Sequence, residues 1–268
     1  VQTTGRKSGK SALELNLIWL NKVSAFAEKH NRIPVFWDDM LLKQGEVYYP
    51  IYDLNISVQK VDSIWEVNEP KLNKFIKQFP ENCIYMRWNY FYPWAEGNLK
   101  TIDWYKENDM KVMGATAGQT RWILMPQDYS NIESIKSFSL TSVEKNLDGL
   151  LLTLWDDDSP HFELYKRGIY SFAEYTWGGK DLNPNDFKSN FRHRYFSPDF
   201  SDIEYSFIDE LDMPVRDWAN LFVVEKKHRN QITKTSLPLE THIVELPEIN
   251  NSGKWNQKFD KKISIAKK

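Results

Sequence analysis

The stretch that decides the fold is GLLLTLWDDD, residues 149–158, in which a nearly continuous apolar run ends in a tryptophan and three carboxylates. A short apolar run that starts at a glycine is typical of a strand buried on both faces, as in parallel sheets. The acids begin where such a strand leaves the core. In barrels of alternating strands and helices, the carboxyl ends of the strands carry the active site. The stretch therefore predicts a buried strand that presents Trp155 and the acids Asp156, Asp157 and Asp158 to a site.

The same pattern occurs a second time, in the sequence IPVFWDDM of residues 33–40. Two strands that each bring a Trp and paired acids to one rim would form a carboxylate-lined pocket with aromatic walls. The alternative is that the tryptophans fill the core and that the acids cap helices or lie in solvated loops. Because the motif is repeated, we favour a site that includes Trp37, Asp38 and Asp39.

Four units of helix, short loop and buried strand follow one another along the chain. The predicted strands lie near residues 33–38, 82–88, 111–118 and 149–155. This order is typical of an α/β fold with a parallel sheet. Two architectures remain open: a small open α/β sheet, or a (β/α)8 TIM-barrel-type fold of which this chain supplies about strands five to eight.

The helices are predicted from apolar periodicity and end signals. The first, from Ser11 to Lys29, carries a capping box formed by Ser11 and Glu14. A strand edge or ordered loop is expected at residues 64–66, and a helix is expected from Glu69 to Gln78 with Pro70 in its first turn. The other predicted helices cover residues 99–108, 132–146, 165–177, 184–196 and 201–229, and an extended tail with a short basic helix follows from 233 to 268.

These elements predict a barrel half over residues 1–180 and a helical extension and tail over residues 181–268. The only Asp-Glu dipeptide, Asp209-Glu210, falls in the extension and is interpreted as surface charge.

Composition narrows the function classes. The 268 residues include 11 Trp, 13 Tyr and 15 Phe, and flat aromatic rings stack on the apolar faces of sugars, so this surplus fits a carbohydrate-active protein. The net charge of −2 gives no field that would attract nucleic acid or anionic lipid. A single cysteine, Cys83, excludes an internal disulfide. We expect no membrane span, metal or cofactor, because the apolar runs are short, the five histidines are scattered and no glycine-rich phosphate loop is present.

At FWDDM (36–40), and again at LWDD (154–157) followed by RGI (167–169) and AEYTW (173–177), the chain resembles glycoside hydrolase family 20, the β-N-acetylhexosaminidases. The resemblance covers about residues 1–180. It implies that Trp37, Trp88 and Trp155 wall the pocket for a terminal N-acetylated sugar, and that Asp157 hydrogen-bonds the distal hydroxyls of that sugar.

The family's acetamide-binding Tyr and Asp correspond to positions near Gln119 and Arg121, where this chain has other residue types. Tyr90 is the candidate to replace the missing phenol. The family's catalytic Asp-Glu pair belongs before the helix that opens this chain, so the resemblance implies that the pair lies upstream and that no catalytic residue is in this chain.

The resemblance implies a substrate-assisted retaining mechanism, in which the acetamide oxygen of the sugar attacks its own anomeric carbon. The expected partners are an oligosaccharide or glycoconjugate and the N-terminal half of the same barrel. Because polymer-degrading members of such families are usually exported, we expect an extracytoplasmic location.

Two other functions remain open at this point. A different retaining glycosidase would pair Asp38 or Asp39 with Asp156 or Asp157, and its two carboxyl groups would lie about 5–5.5 Å apart. A non-catalytic carbohydrate-binding module would use the same aromatics and acids to hold sugar without chemistry.

Overall fold

The computed structural model describes residues 8–51, 53–119, 128–155 and 162–210. The acids at 156–158, Arg121, the predicted helix beyond residue 210 and the C-terminal tail lie outside these residues. The principal elements are, in chain order, α1 Ala12–Lys29, β1 Val35–Trp37, α2 Asp39–Gln44, α3 Val58–Asn73, β2 Ile84–Trp88, α4 Glu96–Glu107, β3 Val112–Gln119, α5 Asp128–Glu144, β4 Gly149–Leu154, α6 Lys166–Gly178 and α7 Pro184–Tyr195.

The four predicted strands form one parallel sheet in the order β1-β2-β3-β4. Val35 pairs with Ile84 between β1 and β2, and Tyr85 pairs with Val112 between β2 and β3. Each strand is therefore the neighbour of the next strand along the chain, as expected for repeated helix–strand units. The α/β class is confirmed, and the closed barrel stays a prediction.

Helix α1 begins as its sequence predicts. The Ser11 side chain accepts a hydrogen bond from the Glu14 backbone N–H, and the Glu14 carboxylate accepts one from the Ser11 N–H at 2.8 Å. The pair forms the predicted capping box. Leu13, Leu17 and Leu20 are buried in the core of the sheet's helical layer.

The prediction for residues 64–78 is wrong. Residues 64–66 belong to the middle of helix α3, and Pro70 lies near the end of that helix instead of in its first turn. The helix starts earlier because Ser57 caps it by accepting a hydrogen bond from the Lys60 N–H. Trp65 is buried on the helix face that points to the core. The helical spacing of the buried residues was hard to recognise in the sequence, because polar residues separate them.

The described residues pack as two units. The first contains residues 8–51, 53–117, 133–153 and 172–179, and includes most of the sheet with the helices on it. In this unit Tyr85 of β2 stacks on Tyr105 of α4 with ring centroids 5.1 Å apart. A Cβ on Gly114 of β3 would lie 2.9 Å from the Phe138 ring of α5, so glycine permits the close approach of helix and strand.

The second unit contains, of the described residues, 118–119, 128–132, 154–155, 162–171 and 180–210. Helix α7 begins at Pro184, a first-turn position that suits proline. Phe191 of α7 packs against Tyr170 with ring centroids 5.4 Å apart, and the guanidinium of Arg167 lies 4.8 Å from the Phe191 ring. These contacts join the start of α6 to α7.

A buried charge cluster lies in the second unit. Asp209 forms ion pairs with Arg167, at 3.0 Å, and with Arg192, and all three side chains are at least nine-tenths buried. The Arg192 Nε also donates to the Phe200 carbonyl at 2.8 Å. The interpretation of Asp209 as surface charge is therefore wrong. Sequence spacing gave no sign that arginines 17 and 42 residues away would enclose this carboxylate.

Candidate functional site

Two of the three predicted tryptophans lie at the carboxyl ends of adjacent strands. Trp37 is the last residue of β1 and Trp88 is the last residue of β2. Trp37 pairs with Met86, two positions before Trp88, so strand alternation puts both indoles on the same face of the sheet. Trp37 is 46 % exposed and Trp88 is half-buried.

That face is the one turned away from the helices. Tyr85 contacts helix α4, whereas Val35 and Trp37, which alternate with Phe36, are each close to half exposed. Phe36 itself packs against the helix-covered core. This face is therefore open at Val35 and Trp37 of β1, whereas Met86 of β2, which pairs with Trp37 on the same face, is buried.

An ion pair lies directly behind the two tryptophans. Asp38 follows Trp37, Arg87 precedes Trp88, and the Asp38 carboxylate lies 3.1 Å from Arg87 Nη1, with both side chains fully buried. Arg87 Nη2 also donates to the Trp88 carbonyl, and its guanidinium lies 6.0 Å from the Trp88 ring. The pair cross-links β1 and β2 one residue from each indole.

The surroundings of Asp38 perturb its titration. Burial, together with a smaller effect of the nearby Asp39, raises the pKa of Asp38 to about 7, although the positive charge of Arg87 opposes the shift. The Tyr105 hydroxyl of α4 also faces this carboxylate, and burial raises the pKa of Tyr105 well above its ordinary value. Asp38 therefore changes charge near neutral pH while Arg87 stays charged.

This perturbation predicts a pH dependence of stability. The folded-state pKa of Asp38 lies above its usual value of 3.8, so its contribution to stability is fully present below about pH 4 and is lost as the pH rises through 7. We expect the free energy of unfolding of the wild type to fall more steeply between pH 4 and 8 than that of Asp38→Asn. Urea unfolding at several pH values measures the difference. Parallel pH profiles would show that Asp38 stays ionised throughout and would contradict the assignment.

The two acids after Trp37 have different roles. Asp38 has no exposed surface, so in this structure it supports the site through Arg87 and does not reach a sugar itself. Asp39 begins helix α2 and pairs with Lys43 at 3.0 Å, a surface pair between neighbouring turns. Its side chain keeps 20 % exposure. Full burial also removes Asp38 as a nucleophile, which leaves Asp39, at the start of α2, as the carboxylate after β1 for the two-carboxylate alternative.

Tyr90 is 8 % exposed, and its ring lies 5.0 Å from the Trp88 ring. It therefore packs against the indole of the candidate site, and its predicted contact with an acetamide stays a prediction. Gln119 ends strand β3, but its side chain lies outside the described residues. Asp157 also lies outside them.

Trp155 is the first residue after β4 and is 42 % exposed. Its carbonyl accepts a hydrogen bond from the Tyr165 hydroxyl at 3.1 Å. Trp155 belongs to the second unit, whereas Trp37 and Trp88 belong to the first. The convergence of all three tryptophans on one cavity therefore stays a prediction.

Sequence reasoning missed the residues that support the site. The arginine inside the apolar strand IYMRW was the available signal, because a buried arginine requires a partner of opposite charge. The second omission is Asn89, which follows Trp88. Its side-chain amide donates to the Ile51 and Tyr92 carbonyls and accepts from the Phe91 and Tyr92 N–H groups, at 2.9 to 3.2 Å.

Within the described residues, no three His, Cys, Asp or Glu side chains are grouped so that they could hold a metal ion. Of the helices in this part of the chain, none has the length and apolar character to cross a bilayer. Comparison with models of known protein families found no match. No curated protein and no solved structure matches the chain either.

Proposed function

We propose that this chain is the sugar-binding half of a glycoside hydrolase that removes terminal N-acetylhexosamine from oligosaccharides or glycoconjugates. The observation that carries the proposal is the pair Trp37 and Trp88, which lie at the carboxyl ends of neighbouring parallel strands and share one face of the sheet. In a (β/α)8 barrel the carboxyl ends of the strands line the active site. The proposed architecture is such a barrel, with β1–β4 as its strands five to eight.

The proposed site recognises the sugar mainly through its apolar surface. An indole face stacks on the C–H groups of a pyranose ring and contacts the methyl group of an acetamide, while it excludes water from both. Trp155 completes the proposed wall, and Asp157 accepts hydrogen bonds from the distal hydroxyls. A carboxylate committed to those hydroxyls discriminates between epimers, because the wrong epimer leaves it unpaired.

The proposed reaction needs no nucleophile from the protein. The acetamide oxygen of the substrate forms a bond to the anomeric carbon as the glycosidic bond breaks, and water later opens the cyclic intermediate. The catalytic Asp-Glu pair, placed upstream of this chain by the proposal, would polarise the acetamide and protonate the leaving oxygen. The tryptophans contribute by holding the acetamide where internal attack is favourable.

The buried ion pair Asp38–Arg87 supports this role because a stacking surface must keep its geometry. Each charge lies next to one of the two indoles in the chain, and the guanidinium contacts both the ring and the carbonyl of Trp88. Side chains locked by buried partners lose less conformational entropy when a ligand binds. The binding surface is thus preorganised before the sugar arrives.

The proposal predicts that Trp88→Ala weakens binding of N-acetylglucosamine by about five- to tenfold, since loss of one stacked ring costs about 1–1.5 kcal/mol. Intrinsic fluorescence or calorimetric titration of the 268-residue chain measures the dissociation constant. Trp177→Ala is the matched control, because Trp177 is 95 % exposed on the last turn of α6 and should leave binding unchanged.

Equal affinity of wild type and Trp88→Ala would overturn the proposed site. The catalytic part has its own test, the coding sequence immediately upstream of residue 1. An Asp-Glu pair just before α1 would support the hydrolase, whereas sugar binding without such a pair would favour the non-catalytic module.

A further inference from the structure

A second exposed aromatic surface lies in the loop that follows Trp88. The loop comprises residues 89–95 and is called the aromatic loop below. Tyr92 is 40 % exposed and Trp94 is 42 % exposed, while Pro93 and Ala95, which alternate with them, are buried. Both rings therefore point to the outside of a loop whose other residues pack inward. Their centroids are 5.9 Å apart and the ring planes meet at 76°.

Buried polar side chains fix the aromatic loop by hydrogen bonds to its backbone groups. Besides the four hydrogen bonds of Asn89, the Asn98 side chain donates to the Pro93 carbonyl at 2.8 Å, and the Ser134 hydroxyl donates to the Phe91 carbonyl at 2.9 Å. Asn89, Asn98 and Ser134 have no exposed surface. A loop fixed at so many backbone groups presents its rings in one geometry, which lowers the entropic cost of binding.

The first turn of α4 adds a further restraint. A Cβ on Gly97 would lie 2.7 Å from the backbone of Pro50, so the helix that continues the aromatic loop rests directly on the 3-10 helix Tyr49–Ile51. Asn89 donates to the Ile51 carbonyl in the same 3-10 helix. Both ends of the loop are therefore anchored to one short segment.

We propose that Tyr92 and Trp94 form an outer subsite that stacks a second pyranose ring of an oligosaccharide whose terminal sugar lies against Trp88. The inference rests on the proposed function and extends it from a single sugar to a chain. Trp94 is six residues from Trp88, so their Cα atoms are at most roughly 20–22 Å apart. A short oligosaccharide spans such a distance.

The size of the surface favours a sugar over a protein partner. An aromatic side chain offers about 150–250 Å², so two rings that are about two-fifths exposed present roughly 120–200 Å². A stable protein interface requires about 800 Å² on each side. The aromatic pair is thus suited to one small ring, and the perpendicular rings form a corner that a flat pyranose can enter.

The polar atoms of the pair fit the same ligand. Within the described residues, neither the Tyr92 hydroxyl nor the Trp94 indole N–H has a hydrogen-bond partner in the protein. A pyranose presents hydroxyls around the edge of an apolar face, so one ring can stack on it while the neighbouring polar groups bind its rim. A purely apolar ligand would leave these groups without partners.

The test compares two probes, N-acetylglucosamine and its β-linked trimer, by calorimetric titration of the 268-residue chain. We expect the trimer to bind about tenfold more tightly than the monomer. Trp94→Ala should remove most of that advantage and leave the monomer affinity unchanged. Trp94→Phe, which keeps a stacking ring, should retain most of it, and Trp177→Ala should change neither affinity. Unfolding midpoints confirm that each variant is folded.

The outcomes separate the two proposals. If Trp88→Ala weakens both probes but Trp94→Ala leaves the trimer affinity unchanged, the outer subsite is overturned and the proposed function stands. If the wild type binds neither probe, both the proposed function and the outer subsite are wrong. Loss of trimer binding in Trp94→Ala together with unaltered monomer binding supports both.

Discussion

Replacing Arg87 with methionine is expected to reduce the free energy of unfolding by about 3–5 kcal/mol at pH 8, because it leaves Asp38 buried without its counter-charge. Methionine retains much of the side-chain length of arginine, so the loss of stability is due more to the missing charge than to a change in side-chain volume. At pH 5 the loss should be smaller, because Asp38, with a pKa of about 7, is already protonated in the wild type and Arg87 then compensates no carboxylate charge. Urea unfolding at both pH values measures the difference.

The matched control is Lys43→Met. Lys43 pairs with Asp39, the residue next to Asp38, but its side chain is 45 % exposed. An exposed pair of this kind contributes less than about 1 kcal/mol, so this variant should be close to wild type at both pH values. If Arg87→Met and Lys43→Met lose the same stability, the burial of the Asp38–Arg87 pair would have no energetic consequence and the prediction would be wrong.

The second large effect is expected for Asp209→Asn. Asparagine has nearly the same shape as aspartate but leaves the guanidinium groups of Arg167 and Arg192 buried without a negative charge. Breaking a buried ion pair costs about 3–5 kcal/mol, and here one carboxylate serves two arginines. We expect a loss at the upper end of that range, measured as the shift in the urea midpoint at constant slope.

Glu204→Gln provides the comparison, because Glu204 is an exposed acid in the same 3-10 helix, Ile203–Glu210. That substitution should change stability by less than about 0.5 kcal/mol. If Asp209→Asn also changes the free energy of unfolding by less than about 0.5 kcal/mol, other groups compensate the charges of the two arginines. A change in slope would instead indicate that the second unit unfolds separately from the first.

Local sequence signals predicted the elements of the sheet well. The apolar runs predicted where the strands lie, but the predicted burial of β4 is wrong: none of its residues is buried, and Leu151 is 41 % exposed. The ends of α1 were predicted because Ser11 and Glu14 are chemically specific signals. Helix α3 was not predicted, because its buried Trp65 and Val61 are separated by charged residues and its cap at Ser57 has no glutamate to complete a capping box.

The candidate site was predicted in part. The position of Trp37 and Trp88 at strand ends follows from local pattern, since strand periodicity is a property of neighbouring residues. The partners of Asp38 and Asp209 could not be predicted, because an ion pair between residues 49 or 17 positions apart depends on how helices and strands pack. The same limit applies to Asn89, whose four bonds form only once the loop has folded around it.

The interleaving of the two packing units has a practical consequence for shortening the protein. Residues 128–132 and 162–171 pack with residues 180–210, while residues 172–179 pack with the sheet. A terminus introduced at residue 180 would therefore remove the segment that carries Asp209. The buried Arg167 would then lack the carboxylate with which it pairs. Expression trials that seek a smaller fragment should retain the chain through residue 210, and fusion partners should be attached beyond that point.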